Sequence, residues 1–159
     1  MNVSSIVKTE LPSGFPFVCY QDCYALCGQP QPDNLKEFKE LTWTHILNLR
    51  NPEELQTLDF EMSGLCEKLS LDYSHIPIIV NSNFDKQALQ QIHNLLNSNP
   101  NKKWVIHCAS GTRSALALIA HFLFLGRYKK DELSDLAQQL GLSSLQMLDR
   151  LYDTIENQK

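Results

Sequence analysis

The sequence predicts an α/β layer fold, with a central, mostly parallel sheet flanked by helices and a helical C-terminus. Two observations carry this expectation. Short β-rich runs alternate with helical patterns from Tyr24 to Phe124, and only helical patterns follow Gly126. The run "KKWVIHC" (Lys102 to Cys108) is apolar without alternation, as expected of a strand buried on both faces inside a parallel sheet.

Residues 1–15 hold Ser, Pro and Gly with little periodicity and are expected to form a flexible arm, leaving residues 16–159 as one domain. "YALCGQP" (Tyr24 to Pro30) predicts a short strand stopped by a Gly-Gln-Pro turn. "PDNLKEFKEL" opens a helix with Asp33 as its N-cap. "WTHILNLR" (Trp43 to Arg50) is β-rich, with Ile46, Leu47 and Leu49 in the core. In "NPEEL", Pro52 suits a first helical turn, and Glu53 and Glu54 are favourable near the positive end of a helix. "DFEMSGLCEKLSL" predicts a weaker helix interrupted by Gly64, and "DYSHIPIIV" another strand. "FDKQALQQIHNLLNSNP" places Ala88, Leu89, Ile92, Leu95 and Leu96 on one helical face and stops at Asn99-Pro100. The helix after Arg113 is expected to end at Gly126. "DELSDLAQQLG" predicts a helix capped by Asp131, and the final helix carries a packing stripe of Leu145, Leu148, Leu151, Tyr152 and Ile155.

Bulk properties exclude several classes. The chain has 159 residues, with 14 Lys plus Arg against 18 Asp plus Glu, for a net charge of -4. No global field steers it onto nucleic acid or an anionic membrane, so the attraction of an anionic substrate must be local. The start lacks a basic segment followed by an apolar one, and the longest apolar run, "ALALIAHFLFL", is too short to span a bilayer. A cytoplasmic protein with reduced thiols is expected. Cys19, Cys23 and Cys27 recur every four residues, but no second ligand pair follows, so neither metal nor other cofactor is expected. His45, His93 and His121 are read as packed or surface histidines, and Cys66 as a candidate disulfide partner of Cys108.

The chemistry concentrates in "WVIHCASGTRSALALIA". A buried strand that turns directly into a helix sets the turn at the C-terminal edge of the sheet, where open α/β sheets bind ligands. The free N–H groups of the helix and of the turn form an anion cup, here Ala109, Ser110, Gly111 and Thr112. Arg113 adds a planar fork that matches two oxygens of a phosphate or sulfonate. The same positive field favours a thiolate at Cys108, a nucleophile facing the bound oxyanion. Ser114 is positioned to donate to the sulfur, and His107 to hold the loop's shape through its ring nitrogens.

"HCASGTRS" resembles the signature of the protein tyrosine and dual-specificity phosphatases. That resemblance implies Cys108 as nucleophile, Arg113 as phosphate clamp, Ser114 as the hydroxyl that eases thiolate departure, and a phosphocysteine intermediate. "CGQPQPDNLKEF", "THILNLRNPEE", "YSHIPI" and "HCASGTRS" occur in the order seen in the bacterial beta-lactamase-hydrolase-like family of phosphatase-like domains. This similarity spans about Cys27 to Gly126. It implies a cysteine-phosphatase-like fold and a phosphorylated protein or small molecule as substrate. Four residues separate Cys108 from Arg113, where most phosphatases of this kind have five. None of Ile79, Val80, Asn81, Ser82 and Asn83 is acidic, which leaves Asp85 as the nearest candidate general acid, although its place directly before a helix favours an N-cap role instead.

The same loop length resembles rhodanese-like sulfurtransferases, in which the cysteine carries a persulfide, and "LNLRNPEE" is similar to their Asp-x-Arg-x-x-x-Glu segment. Against that reading, Asn48 occupies the aspartate position and "HIPI" lies far beyond Arg50 without flanking glycines. Helices also follow where a Gly-Gly-x-x-Trp ending would stand. A third reading is a catalytically silent anion-binding module on the phosphatase scaffold. Arg50 and Glu54 are expected to form a structural ion pair beneath the loop.

Overall fold

A computed structural model describes residues 5–79 and 84–156. In chain order the elements are β1 (Ile6–Glu10), β2 (Pro16–Tyr20), β3 (Tyr24–Cys27), α1 (Pro32–Glu40), β4 (His45–Asn48), α2 (Pro52–Leu55), α3 (Met62–Lys68) and β5 (Asp72–His75). They continue with α4 (Lys86–Asn97), β6 (Trp104–His107), α5 (Thr112–Phe124), α6 (Leu133–Leu140) and α7 (Leu145–Glu156). The strands form one mixed sheet in the order β1-β2-β3-β6-β4-β5. The four strands from β3 to β5 run parallel, and the β1-β2-β3 end is antiparallel.

Side chains alternate across a strand, and here both faces are covered. Leu26, Leu47 and Ile106 point into a core shared with α4, α5, α6 and α7. Ala25, Ile46 and Val105 point the other way, into a second core with Leu35 and Phe38 of α1 and with Met62 and Cys66 of α3. This explains the unalternating run at β6, whose four residues are all buried. Helix α5 is buried from Ser114 to Leu123 and packs against α4, α6 and α7. It ends ahead of Gly126, whose φ of +67° supplies the left-handed exit.

Several expectations change. The N-terminal arm contains a strand: Ile6–Glu10 pairs with Pro16–Tyr20, and the latter also went unassigned by pattern. Strand β1 is the edge strand, with Val7, Lys8, Thr9 and Glu10 exposed, so no burial pattern marks it, whereas β2 buries Phe17 and Tyr20. Asp33 is not the N-cap of α1. Pro32 takes the first helical position, which moves the cap to Gln31 and leaves Asp33 in the first turn. Asp131 sits inside a 3-10 turn, Lys130–Glu132, rather than capping α6. Strand β5 stops at His75, before Pro77, whose ring nitrogen has no hydrogen to donate to a ladder. Residues Val80, Asn81, Ser82 and Asn83 lie outside the described residues.

Candidate active site

Strand β6 sits between β3 and β4, and Cys108 is the first residue beyond it. The turn is stitched to the end of β3. Cys108 N–H donates to the Cys27 carbonyl at 3.3 Å, and Gln29 N–H donates to the Ala109 carbonyl at 3.3 Å. Gly28 permits this approach, because a Cβ there would stand 2.7 Å from the Ala109 oxygen. Gly111, at φ +102°, closes the turn and caps α5. The N–H groups of Thr112 and Arg113 then precede any acceptor within their own helix. Ala109 and Ser110 are exposed, so the rim of the cup faces outward.

Cys108 is buried, and two donors converge on its sulfur. Gly111 N–H lies 3.0 Å from Sγ and Ser114 Oγ lies 3.6 Å from it. Ser114 Oγ also lies 3.0 Å from the Cys27 carbonyl, so its single hydrogen is shared between that oxygen and the sulfur.

The largest site residue missed by the sequence reading is Glu54 as partner of Arg113. Arg113 Nη1 donates to Glu54 Oε1 at 2.6 Å and Nη2 to Oε2 at 2.7 Å, a bidentate clamp between α5 and α2. Arg113 Nη1 also reaches the Ile78 carbonyl at 3.4 Å. These contacts use Nη1 and Nη2, and the guanidinium also faces the Cys108 sulfur, which helps to hold Arg113 in its charged form. Glu54 is itself held. Asn51 N–H donates to its Oε1 at 3.1 Å, Arg50 Nε donates to Oε2 at 3.2 Å, and Glu54 N–H donates back to Asn51 Oδ1. The Arg113 hydrogen bonds, then the Asn51 and Arg50 donors, pull the Glu54 carboxyl down to about 2 despite its partial burial. Arg113 is pushed up by the same contact. The expected Arg50–Glu54 pair is present, and Arg50 Nη1 further donates to Gln29 Oε1 at 2.8 Å. The signal for Glu54 was its capping box with Asn51, which turns its carboxylate back toward the loop edge of the sheet.

Asp85 takes the N-cap role expected from its place before a helix, while His107 and Cys66 stand differently from the roles assigned to them. His107 is fully buried, and among the described residues no acceptor or donor meets either ring nitrogen in good hydrogen-bond geometry, although the Cys108 main chain lies close enough to act on the ring. Its contribution is through the main chain, where its carbonyl accepts from Leu49 N–H at 2.9 Å. Burial, reinforced by Arg50, His75 and Arg113, pushes the His107 ring down to about 3. Asp85 caps α4, its Oδ1 accepting from Gln87 and Ala88 N–H at 3.0 and 3.4 Å. Cys66 belongs to the core on the opposite face of the sheet from Cys108, which removes it as a disulfide partner. Among the other histidines, His45 lies 3.4 Å from Asp72, and His93 and His121 meet through their Nδ1 atoms at 2.9 Å. A recess of about 370 Å³ between Leu55 and His75 contains none of the loop residues. Another, of about 280 Å³, has Ser110 and Gly111 in its wall.

Comparison with known proteins gives three findings. Residues 31–140 match the family model of the rhodanese-like domain. The beta-lactamase hydrolase-like proteins of two Xylella fastidiosa strains are 28% identical over 121 residues, which is 74% of this chain and 27% of theirs. The chain thus spans about a quarter of the length of these curated relatives. Among solved structures, the kinase associated phosphatase KAP matches with a TM-score of 0.70 at 18% identity, over 96% of this chain and 95% of that one. A DUF442 protein of Shewanella putrefaciens matches at 0.67 and 12% identity, over 97% and 90%. Tk-PTP in its active form matches at 0.69 and 18% identity, over 86% and 93%. The expected phosphatase-like architecture is therefore the observed one. With the family model matched across most of its length, the chain belongs to the rhodanese-like domain family and carries within it the fold shared by DUF442 proteins and the tyrosine and dual-specificity phosphatases.

Proposed function

We propose that the protein is a cysteine-dependent phosphatase that hydrolyses a phosphomonoester. One observation carries this reading: the Cys108 sulfur receives the Gly111 amide and the Ser114 hydroxyl beside an Arg113 fork that Glu54 holds from behind. The amides of Ala109, Ser110, Gly111 and Thr112, with Arg113, would hold the phosphoryl oxygens. The thiolate would attack phosphorus, the bond to the leaving oxygen would break, and phosphocysteine would form. Water would then cleave the S–P bond, releasing inorganic phosphate, and the Ser114 hydrogen bond would stabilise the departing thiolate. Asp85 is engaged in capping α4, so leaving groups that need no proton, such as phenolates, are the favoured substrates. Phosphorylated small molecules are as suitable as proteins. One neighbour of this fold is described as a PP-IP phosphatase of S. cerevisiae, and another, PTPMT1, was solved with PI(5)P.

The test is hydrolysis of 4-nitrophenyl phosphate. Turnover is expected in the native chain, none above background in Cys108→Ser, and a loss of about 10²–10³-fold or more in Arg113→Ala. A sulfurtransferase is the second reading, favoured by the rhodanese-like family match and the four-residue loop. Thiocyanate release from thiosulfate and cyanide, with no phosphate release, would replace the phosphatase reading with that one. Failure of both reactions, with phosphate still shielding Cys108 from alkylation, would leave an anion-binding module.

A further inference from the structure

The 280 Å³ recess begins at Ser110 and Gly111 of the loop and runs outward across the antiparallel end of the sheet. Lys8, Val18 and Leu26 of its lining lie on one cross-strand row, with Thr9, Phe17 and Cys27 of the neighbouring rows also in the wall. Lys8 pairs with Val18, Val18 with Leu26, and Leu26 with Ile106 on the strand that delivers Cys108. These positions share one face, since Leu26 and Ile106 lie in the α5-side core and Val18 packs against it. The turn after α6, at Leu140 and Gly141, closes the other side. The inner part of the floor is apolar, and the one cationic side chain along the wall is Lys8 at the outer end. Lys8 also borders the adjoining recess of about 300 Å³ with Gln138 and Gln139 of α6, whose amides are hydrogen-bond donors. No side-chain hydrogen bond or ion pair joins Lys8 to another described residue, and Glu10, two residues on, is not part of either wall.

We propose that this trough is a second anion subsite: it takes the far end of a phosphorylated ligand that carries a second anionic group, held by Lys8 with Gln138 and Gln139. The inference rests on the loop being the primary oxyanion site. Three strand spacings separate β6 from β1, about 14 Å, so the ligand needs a spacer between its two anionic groups. The apolar floor of Val18 and Leu26 suits a hydrocarbon or aromatic spacer better than a sugar. In a chain of net charge -4, a lysine that has no ion pair among the described residues is also a local attractor for the distal group.

The experiment reads binding, so it stands apart from turnover. Cys108 alkylation by iodoacetamide is followed in the presence of methylphosphonate and of alkane-α,ω-bisphosphonates of increasing length. Methylphosphonate should protect, and the bisphosphonates should protect about fivefold or more strongly once their length bridges the trough. Lys8→Ala should erase that gain while methylphosphonate protection is unchanged, and Lys8→Arg should keep it. A bisphosphonate advantage that is absent at every length, or that survives in Lys8→Ala, overturns the subsite. Absence of protection by methylphosphonate in the native chain overturns the loop as an anion site, and the subsite with it. Lys8 is exposed on the marginal strand β1, so its substitution leaves the core intact, and unchanged thermal unfolding checks this.

Discussion

Glu54 does more at this site than any residue that touches only the loop. It joins α2 to α5 through Arg113 and occupies the Nη1–Nη2 edge of the guanidinium, which fixes that group's orientation. Glu54→Gln keeps the size but removes the charge, and one amide nitrogen would then face a guanidinium nitrogen. It should lower kcat/KM toward 4-nitrophenyl phosphate by about 10–10²-fold through misplacement of the fork. Lysine in place of Arg113 should not rescue activity, because a point charge cannot form the bidentate contact. The clamp also has a pH signature. The Glu54 carboxyl is depressed from about 4.5 to about 2, so its stabilisation is complete above about pH 4.5 and is lost as pH falls toward 2. Thermal unfolding of the native chain and Glu54→Gln should therefore converge across that interval. Gly28→Ala is a third test at this scale. Its methyl would press on the Ala109 carbonyl, at a cost of about 1–3 kcal/mol in chemical denaturation and with loss of loop geometry. Cys108, Arg113 and Ser114 were legible because strand, small residues, glycine and helix follow one another without a gap. The Glu54–Arg113 contact was not, since the two residues are 59 positions apart and only the fold brings them together.

At the scale of elements, the contact between α4 and α5 contains a titratable joint. His93 and His121 share one hydrogen bond between ring nitrogens, which requires at least one of the two rings to be neutral at that nitrogen. Burial, then His93 and Arg127, push the His121 ring down to about 4, and burial lowers His93 as well. His107 adds a third depressed ring, at about 3. The unfolded chain takes up protons near pH 6.5 that the native chain refuses. Stability is therefore full above about 6.5 and declines as pH falls toward 4. Urea unfolding should show this decline in the native chain and a shallower one in His121→Phe. The longer helices were readable because they carry a buried stripe, as α4 does at Ala88, Leu89, Ile92 and Leu96, and the central strands because β4 and β6 are buried throughout. Strand β1 was not, because an edge strand can have a mostly exposed sequence and still be held by its neighbour's backbone, and β2, which buries Phe17 and Tyr20, lies next to it. The cap of α1 moved for a local reason, the fixed ring of Pro32.

Over the whole molecule, the sheet divides the apolar interior into two cores that do not share side chains. Ile46→Val in one and Ile106→Val in the other should each cost about 0.5–1.5 kcal/mol. Because the two side chains project from opposite faces, the double variant should lose the sum to within about 0.5 kcal/mol, measured from denaturation midpoints. The central position of β6 has a consequence for how the chain reaches this state. Its partners are Tyr24 on one side and His45 on the other, both joined to Trp104 across long stretches of sequence. Pairings of such separation close late and slowly, so the molecule should fold more slowly than a helical bundle of its size. On the ribosome, the strand that carries Cys108 arrives after both of its neighbours and enters a gap between them. The Cys108 side chain is thus enclosed only when the sheet itself becomes continuous.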